Sequence, residues 1–274
     1  MLPIFKYDIL RPMEKQAKKE KKEIKKPSSA KAPAETITTG KGDFGIDIDE
    51  MIKASVCFGH RTSRLHPKMR PYICGIKNTT HIIDLEKTAQ HLKKALEYIQ
   101  EITSQGKNLL LVGTKIPLKK LVEETAKEIN LPYVNERWLG GTFTNFETIK
   151  KRIEYYKELE RKRESGELEK YTKKERIKID RELKELEKKF KGIKNMEKLP
   201  EAVFVLDMRK DALAVKEARM KGIKVIGIAD TNVDPTLADF PIPANDDAIS
   251  SVKYILDKTK EVITKTKSKT SDSK

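Results

Sequence analysis

The residues able to do chemistry in this 274-residue chain fall into two sets. The first is an interval without acids. From Met51 to Ile83 there is no Asp or Glu, in a chain that has 42 of them. The same interval holds Lys53, Arg61, Arg64, Lys68, Arg70 and Lys77, with His60, His66 and His81. Its centre, Phe58-Gly-His-Arg-Thr-Ser-Arg-Leu-His-Pro-Lys-Met-Arg-Pro-Tyr72, alternates cations with two rings. Guanidinium and ammonium groups neutralise phosphates, and flat rings stack on unpaired bases. Arg61, Arg64, His66, Lys68, Arg70, Tyr72 and Lys77 are therefore candidate RNA contacts. The plainer alternative is a solvated basic loop whose rings pin it to the core. Acid exclusion over so long an interval favours RNA.

The second set is Asp207, Asp230 and His60. Each Asp ends an apolar strand, and one helical crossover separates the two strands. Neighbouring strands lie about 4.8 Å apart, so the two carboxylates can converge at one sheet edge. With an imidazole they make an acceptable set for a divalent metal. The alternative is that each Asp caps its own following turn, while His60 packs against Phe58 or donates to phosphate. Other chemistry is missing. There is no Gly-x-Gly-x-x-Gly after a strand, no nucleophile elbow, and no Ser, Cys or Lys with a base partner at motif spacing. Gly113-Thr-Lys115 lacks the spacing that wraps a triphosphate and reads as a strand-to-helix turn. Cys57 and Cys74 are too few for a disulfide scaffold, and no cofactor is expected.

The elements that must position these residues follow from periodicity. Asp47–Ser55 reads as a short helix, and the Gly- and Pro-bearing stretch from Phe58 to Tyr72 as loop. Thereafter strands (81–85, 108–112, 132–135, 202–206, 225–229) alternate with amphipathic helices, and Phe240-Pro-Ile-Pro243 is a short edge strand. Strands of nearly continuous apolar residues between helices imply a parallel sheet covered on both faces. The expected fold is α/β, a three-layer flavodoxin- or Rossmann-like sheet, occupying 44–144 and 194–263. Arg137-Trp-Leu-Gly-Gly-Thr-Phe-Thr-Asn-Phe146 marks the exit from its first half. There Gly140–Gly141 permits a turn, and Thr144 with Glu147 has capping-box spacing. Apolar residues then recur at three and four through two segments, Phe146–Tyr156 and Ile179–Ile193, amid charge of both signs. This predicts an inserted antiparallel helical hairpin over 145–193, with a second capping box at Thr172 and Glu175. Residues 1–43 read as a disordered basic extension and 264–274 as a disordered tail.

Lys plus Arg number 58, for a formal charge of +16, which points to an anionic partner, nucleic acid before a membrane surface. No apolar run approaches the roughly 20 residues of a membrane span.

Several stretches in one order resemble a known family. His60-Arg-Thr62, Pro67-Lys-Met69, Ile82-Ile-Asp-Leu-Glu-Lys-Thr88, Val112-Gly-Thr-Lys115 and Arg137-Trp-Leu-Gly-Gly-Thr-Phe-Thr-Asn145 are similar to signatures of the universal small-subunit ribosomal protein S-two family. Asp230-Thr-Asn-x-Asp-Pro235 and Ile242-Pro-x-Asn-Asp-Asp-Ala-Ile249 fit the same family, and the hairpin resembles its bacterial and organellar branch. The resemblance implies a cytoplasmic, ribosome-bound structural protein that contacts small-subunit ribosomal RNA and neighbouring ribosomal proteins. It also implies contact with the large mRNA-binding ribosomal protein S-one where the organism has one. Carried over by position, it adds Arg137, Trp138 and Asn145 to the RNA-contact candidates and reinforces Arg61 and Lys68. A nucleotide-binding enzyme on a Rossmann-like fold, and a coiled-coil interaction protein with incidental charge, are the competing classes.

Overall fold

The structure, a computed structural model, describes residues 44–271, so the expected N-terminal extension lies outside the described residues. The centre is a five-stranded sheet in the order β5-β4-β6-β7-β8, with every neighbouring pair parallel. Its strands are β4 (Leu109–Val112), β5 (Tyr133–Val134), β6 (Ala202–Val205), β7 (Lys224–Ala229) and β8 (Phe240–Pro243). The two prolines of β8 are tolerated because it is an edge strand, where missing donors break no ladder.

Strand alternation sorts the apolar side chains into two cores. Leu109, Leu111, Phe204, Ile226 and Ile228 face one side. There they meet Leu92, Leu96 and Ile99 of α2 (Leu85–Ser104), Val122 and Ala126 of α3 (Lys119–Glu128), and Val252 and Ile255 of α7 (Ile249–Ser271). Met51 of the short helix α1 (Ile48–Lys53), whose start Asp47 caps, joins the same core. Leu110, Val112, Val203, Val205 and Val225 face the other side. They pack with Ala214, Val215 and Ala218 of α6 (Ala212–Met220) and with Ile149, Ile153 and Tyr156 of α4 (Phe146–Glu164). Leu213 is half-exposed, because the buried stripe of α6 runs through its neighbour Ala214 instead.

The first strand departs from expectation. Residues 81–85 were expected to open the parallel sheet, but β3 (Thr80–Ile83) lies in a separate antiparallel sheet of order β1-β3-β2. Its partners are β1 (Phe58–Arg61) and β2 (Ile73–Lys77), so the supposed loop from Phe58 begins as a strand and closes through a 3-10 turn, Pro67–Tyr72. The cause is local. Asn78 and Thr79 adopt φ of 48° and 64°, and a two-residue turn with both central residues at positive φ matches the twist of a hairpin. Lys77 and Thr80 are accordingly register partners.

The 137–146 stretch is organised by one buried acid of α6. The Glu217 carboxylate accepts hydrogen bonds from the N–H groups of Gly141 (2.8 Å), Phe143 (3.0 Å) and Thr144 (3.3 Å) and from Trp138 Nε1 (3.3 Å). Gly141 sits at φ 92°, which an L side chain rarely adopts. Burial alone pushes the Glu217 carboxyl up, but these donors outweigh it and hold its pKa below the ordinary range. The expected capping box at Thr144 does not form. Both Thr144 N and Oγ1 are spent on Glu217, and Asn145 becomes the N-cap of α4 without a side-chain cap bond. The second box does form, with Thr172 and Glu175 opening α5 (Lys173–Phe190).

α4 and α5 lie side by side, with Arg163 Nε 4.0 Å from an oxygen of Asp180. The seam between them is not self-contained. Ile149, Ile153, Tyr156, Leu159, Leu183 and Phe190 are continuous with the second core of the sheet. Gly192, just past α5, lies so close to Tyr133 that a Cβ there would sit 2.1 Å from its carbonyl oxygen. At the other end of the chain α7 runs beyond residue 263 to Ser271, with Thr266 buried and Lys267 Nζ donating to the Ile129 carbonyl.

Two outcomes follow from this packing. Glu217→Ala strands several buried donors and should cost about 3 kcal/mol in denaturant unfolding. Excising 164–179 and joining Arg163 to Asp180 through a short Gly-Ser link should leave the melting temperature within a few degrees, whereas Ile153→Ala at the root should cost about 2–4 kcal/mol.

Candidate nucleic-acid interface

β1 and the loop after it are tied to the C-terminal end of β7. Gly59 passes so close to Thr231 that a Cβ would lie 2.5 Å from the threonine methyl. His60 N donates to Thr231 Oγ1 (2.9 Å), and His66 N donates to the Thr231 carbonyl (2.8 Å). Lys68 Nζ donates to Asp234 Oδ2 (2.7 Å) and Thr236 Oγ1 (2.9 Å). Met69, fully buried, anchors the 3-10 turn in the second core. Four points of attachment therefore hold a polar loop that has little core of its own.

On this frame Arg61, Arg64, Lys68 and Arg70 are exposed, and Lys77 is exposed on β2 beside the turn. Among the described residues no carboxylate lies within ion-pair distance of Arg61, Arg64, Arg70 or Lys77. Lys68 differs, being shared with Asp234. Phe58 is 40% exposed, which leaves part of its ring open. Tyr72 and His66 are half-buried, and the Tyr72 ring meets His91 edge-on at 5.2 Å.

The central stretch is placed differently. Arg137 and Asn145 are exposed, and Asn145 Oδ1 accepts from Thr148 Oγ1. Trp138 is corrected. Its ring is 6% exposed, packs edge-on against Phe143 at 4.8 Å and donates to Glu217, so it is a core residue with no face to offer a base. The signal that could have shown this is Glu217 itself, an acid in the middle of an otherwise apolar helix face.

Behind the basic loop, at the C-terminal ends of the parallel strands, lies a pocket of mixed charge to which Arg209 also contributes. His60, Lys115, Asp207, Lys210, Asn232 and Asp246 line it. Lys115 Nζ reaches Asp247 Oδ1 (2.6 Å), Asp246 Oδ1 (3.1 Å) and Asp207 Oδ2 (3.2 Å), so its ammonium is committed to carboxylates. Burial opposes that charge, but the three acids hold the Lys115 pKa above its ordinary value. Burial, with Asp230 and Asp207 nearby, pushes the Asp246 carboxyl up to about 7. The expected pairing of Asp207 with Asp230 is corrected. Asp207 binds Lys115 and caps the next turn through the N–H groups of Arg209 and Lys210, whereas Asp230 Oδ2 faces His60 Nδ1 at 3.0 Å. Asp246, which the sequence reading did not single out, is the acid brought near His60 and Asp230. Nothing in its local sequence indicates that the end of β8 reaches this point. The Asp230 carboxylate holds the His60 imidazole above its usual pKa, against the effect of burial.

The tie at Lys68 titrates. Burial alone raises the Asp234 carboxyl, but the Lys68 ammonium and Thr236 outweigh it and bring it down to about 2. A depressed carboxylate contributes stability above its unfolded pKa of about 4 that is lost as pH falls through the folded value. Carbon-detected NMR should place the Asp234 midpoint near 2 and, in Lys68→Ala, at least one unit higher. A midpoint unmoved by that change would show that the contact is not formed in solution. Gly59→Ala should displace the loop and destabilise the fold by about 1–3 kcal/mol.

Comparison with known proteins agrees with the resemblance. Residues 51–266 match the family model described as ribosomal protein S2. The "small ribosomal subunit protein uS2" of Coprothermobacter proteolyticus is 43% identical over 218 residues, which are 80% of this chain and 81% of that protein. Its counterpart in Dictyoglomus thermophilum is 46% identical over 214 residues, 78% of this chain and 87% of the relative. The "small ribosomal subunit protein uS2c" of Rhodomonas salina is 47% identical over 218 residues, 80% and 90% of the two chains. With the family model covering most of its length and relatives 43–47% identical over about four-fifths of it, the chain belongs to the ribosomal protein S2 family.

Proposed function

We propose that the chain is a structural component of the small ribosomal subunit, binding its ribosomal RNA and neighbouring ribosomal proteins and catalysing no reaction. Family membership supports the assignment to the subunit. The single observation that carries the RNA contact is the exposed set Arg61, Arg64, Arg70 and Lys77, drawn from an acid-free stretch of sequence tied to Thr231, with no carboxylate within ion-pair distance among the described residues. Cations without internal partners on an ordered loop are free to replace phosphate counterions. Lys68, Arg137 and Asn145 extend this surface, while His66 and Tyr72 serve it from half-buried positions that orient the loop. The nucleotide-using enzyme is set aside on family membership.

The proposal extends to the α4–α5 pair as a docking arm for neighbouring proteins, the large mRNA-binding protein S-one among them where the organism has one, and to a ribosome in the cytoplasm. Charged outer faces of both signs support the docking role. No helix among the described residues is long and apolar enough to cross a membrane.

Sedimentation of a lysate should place the chain with the small subunit at low and at high salt. Arg61, Arg64, Arg70 and Lys77 changed together to Ala should weaken RNA binding and reduce the slope of log K against log salt by roughly 3, at about 0.7–0.9 per lost phosphate contact. An unaltered slope in the folded quadruple variant would remove these residues from the interface.

A further inference from the structure

The pocket behind the basic loop has an unbalanced centre. Asp230 is fully buried, and its Oδ1 accepts from Thr231 N. Its Oδ2 has no hydrogen-bond partner, and neither does the buried His60 Nδ1, although the two atoms stand 3.0 Å apart. The pair is not well aligned for a hydrogen bond, and atoms this close call for a proton or a cation between them. Two ligands of a tetrahedral ion, each about 2.1 Å from it, are separated by about 3.4 Å, a little more than this gap. One ligand oxygen of Asp246 lies with them, all three ligand atoms falling within 4.8 Å of one another.

The second imidazole nitrogen supports the same arrangement. Nε2 lies 3.4 Å from Asp247 Oδ2 and 3.0 Å from the Asn232 amide nitrogen. Exchanging the amide oxygen and nitrogen, which place nearly identical atoms, puts that oxygen against Nε2. Nε2–H then donates to the amide oxygen with the Asp247 carboxylate close by, and the lone pair falls on Nδ1, facing the Asp230 carboxylate. Two lone pairs cannot face each other at that distance without a positive centre. An imidazole whose other nitrogen donates to an oxygen is the usual state of a metal-bound histidine.

We propose that His60, Asp230 and Asp246 form a site for a divalent transition-metal ion of the zinc class, which pins the basic loop to the end of the parallel sheet. The nitrogen ligand favours such an ion over magnesium or calcium, which take oxygen ligands. Charge agrees. Asp207, Asp230, Asp246 and Asp247 stand together at this point of a chain whose formal charge is +16, and although Lys115, Arg209 and Lys210 also line the pocket, Lys115 pairs with three of the four acids but not with Asp230. Asp246 closes on the ion by loosening its bond to Lys115, whose ammonium keeps Asp207 and Asp247. The ligands come from β1, from the end of β7 and from the segment after β8, so the ion joins the antiparallel sheet to the last two strands of the parallel one.

The test uses the full chain purified without chelator, analysed for bound metal, then stripped and titrated with zinc chloride. The expected result is about one equivalent of metal per chain. Readdition should raise the melting temperature by about 5 °C, the shift a tight single site gives in a domain of this size. Cobalt chloride should give a visible absorption band. Both effects should vanish in His60→Gln, which alters a half-buried residue, whereas Asp230→Asn endangers folding. Under a tenth of an equivalent with no thermal shift would overturn the proposal and leave an imidazolium proton as the positive centre. Equal zinc binding by wild type and His60→Gln would overturn it as well, as would a shift given by magnesium and not by zinc.

Discussion

The contact between β1 and Thr231 is the constraint on which the functional surface depends. A loop rich in Arg, Lys and Pro buries too little apolar area to hold itself in place. Here its order comes from backbone bonds to one threonine at the end of β7 and from a glycine that lets the strand approach within van der Waals range. Thr231 is buried and offers its hydroxyl to His60 and its carbonyl to His66. Removing the side chain at position 59 is what makes both reachable. The sheet thereby fixes where the cations stand, and the cations need no partners of their own.

The same edge of the sheet shows how a strongly basic protein keeps its acids useful. Asp207, Asp230, Asp246 and Asp247 gather behind the loop rather than on it. If such acids stood among Arg61, Arg64 and Arg70, they would neutralise the surface internally and repel phosphate. Gathered at the strand ends, where all but Asp247 are buried, they instead hold Lys115 and lie against His60, and those contacts brace the loop from beneath. Glu217 plays the corresponding part on the other face, where one carboxylate gathers the donors of a glycine-rich turn.

Much of this arrangement was legible from residue order alone. The buried strands Leu109–Val112 and Ala202–Val205 announced a parallel sheet through their unbroken apolar composition, and the Pro-bearing β8 announced its edge position. The acid-free interval located the basic surface. What escaped depends on partners distant in the chain. The Asn78–Thr79 turn carries no glycine, so the β2–β3 hairpin left no strong signal, and the first strand was assigned to the wrong sheet. Trp138 resembled a stacking residue because its acceptor stands on α6, and Asp246 went unnoticed because strand order places it, not spacing. The helical seam was visible, but periodicity cannot tell whether a seam stops at its own partner or continues into a neighbouring core.

That continuity has a mechanical consequence. Ile149 and Ile153 on one helix and Phe190 on the other share a single apolar body with Val134 and Val203 of the sheet, and Gly192 lets the returning chain press against Tyr133. A pair of helices joined to its base by two loose strands of chain behaves as a tether, and a push at its tip is lost in the hinge. Here the base is clamped by close-packed side chains, which transmit strain rather than absorb it. The helix pair is thus built into the sheet at its root, with no hinge between the two.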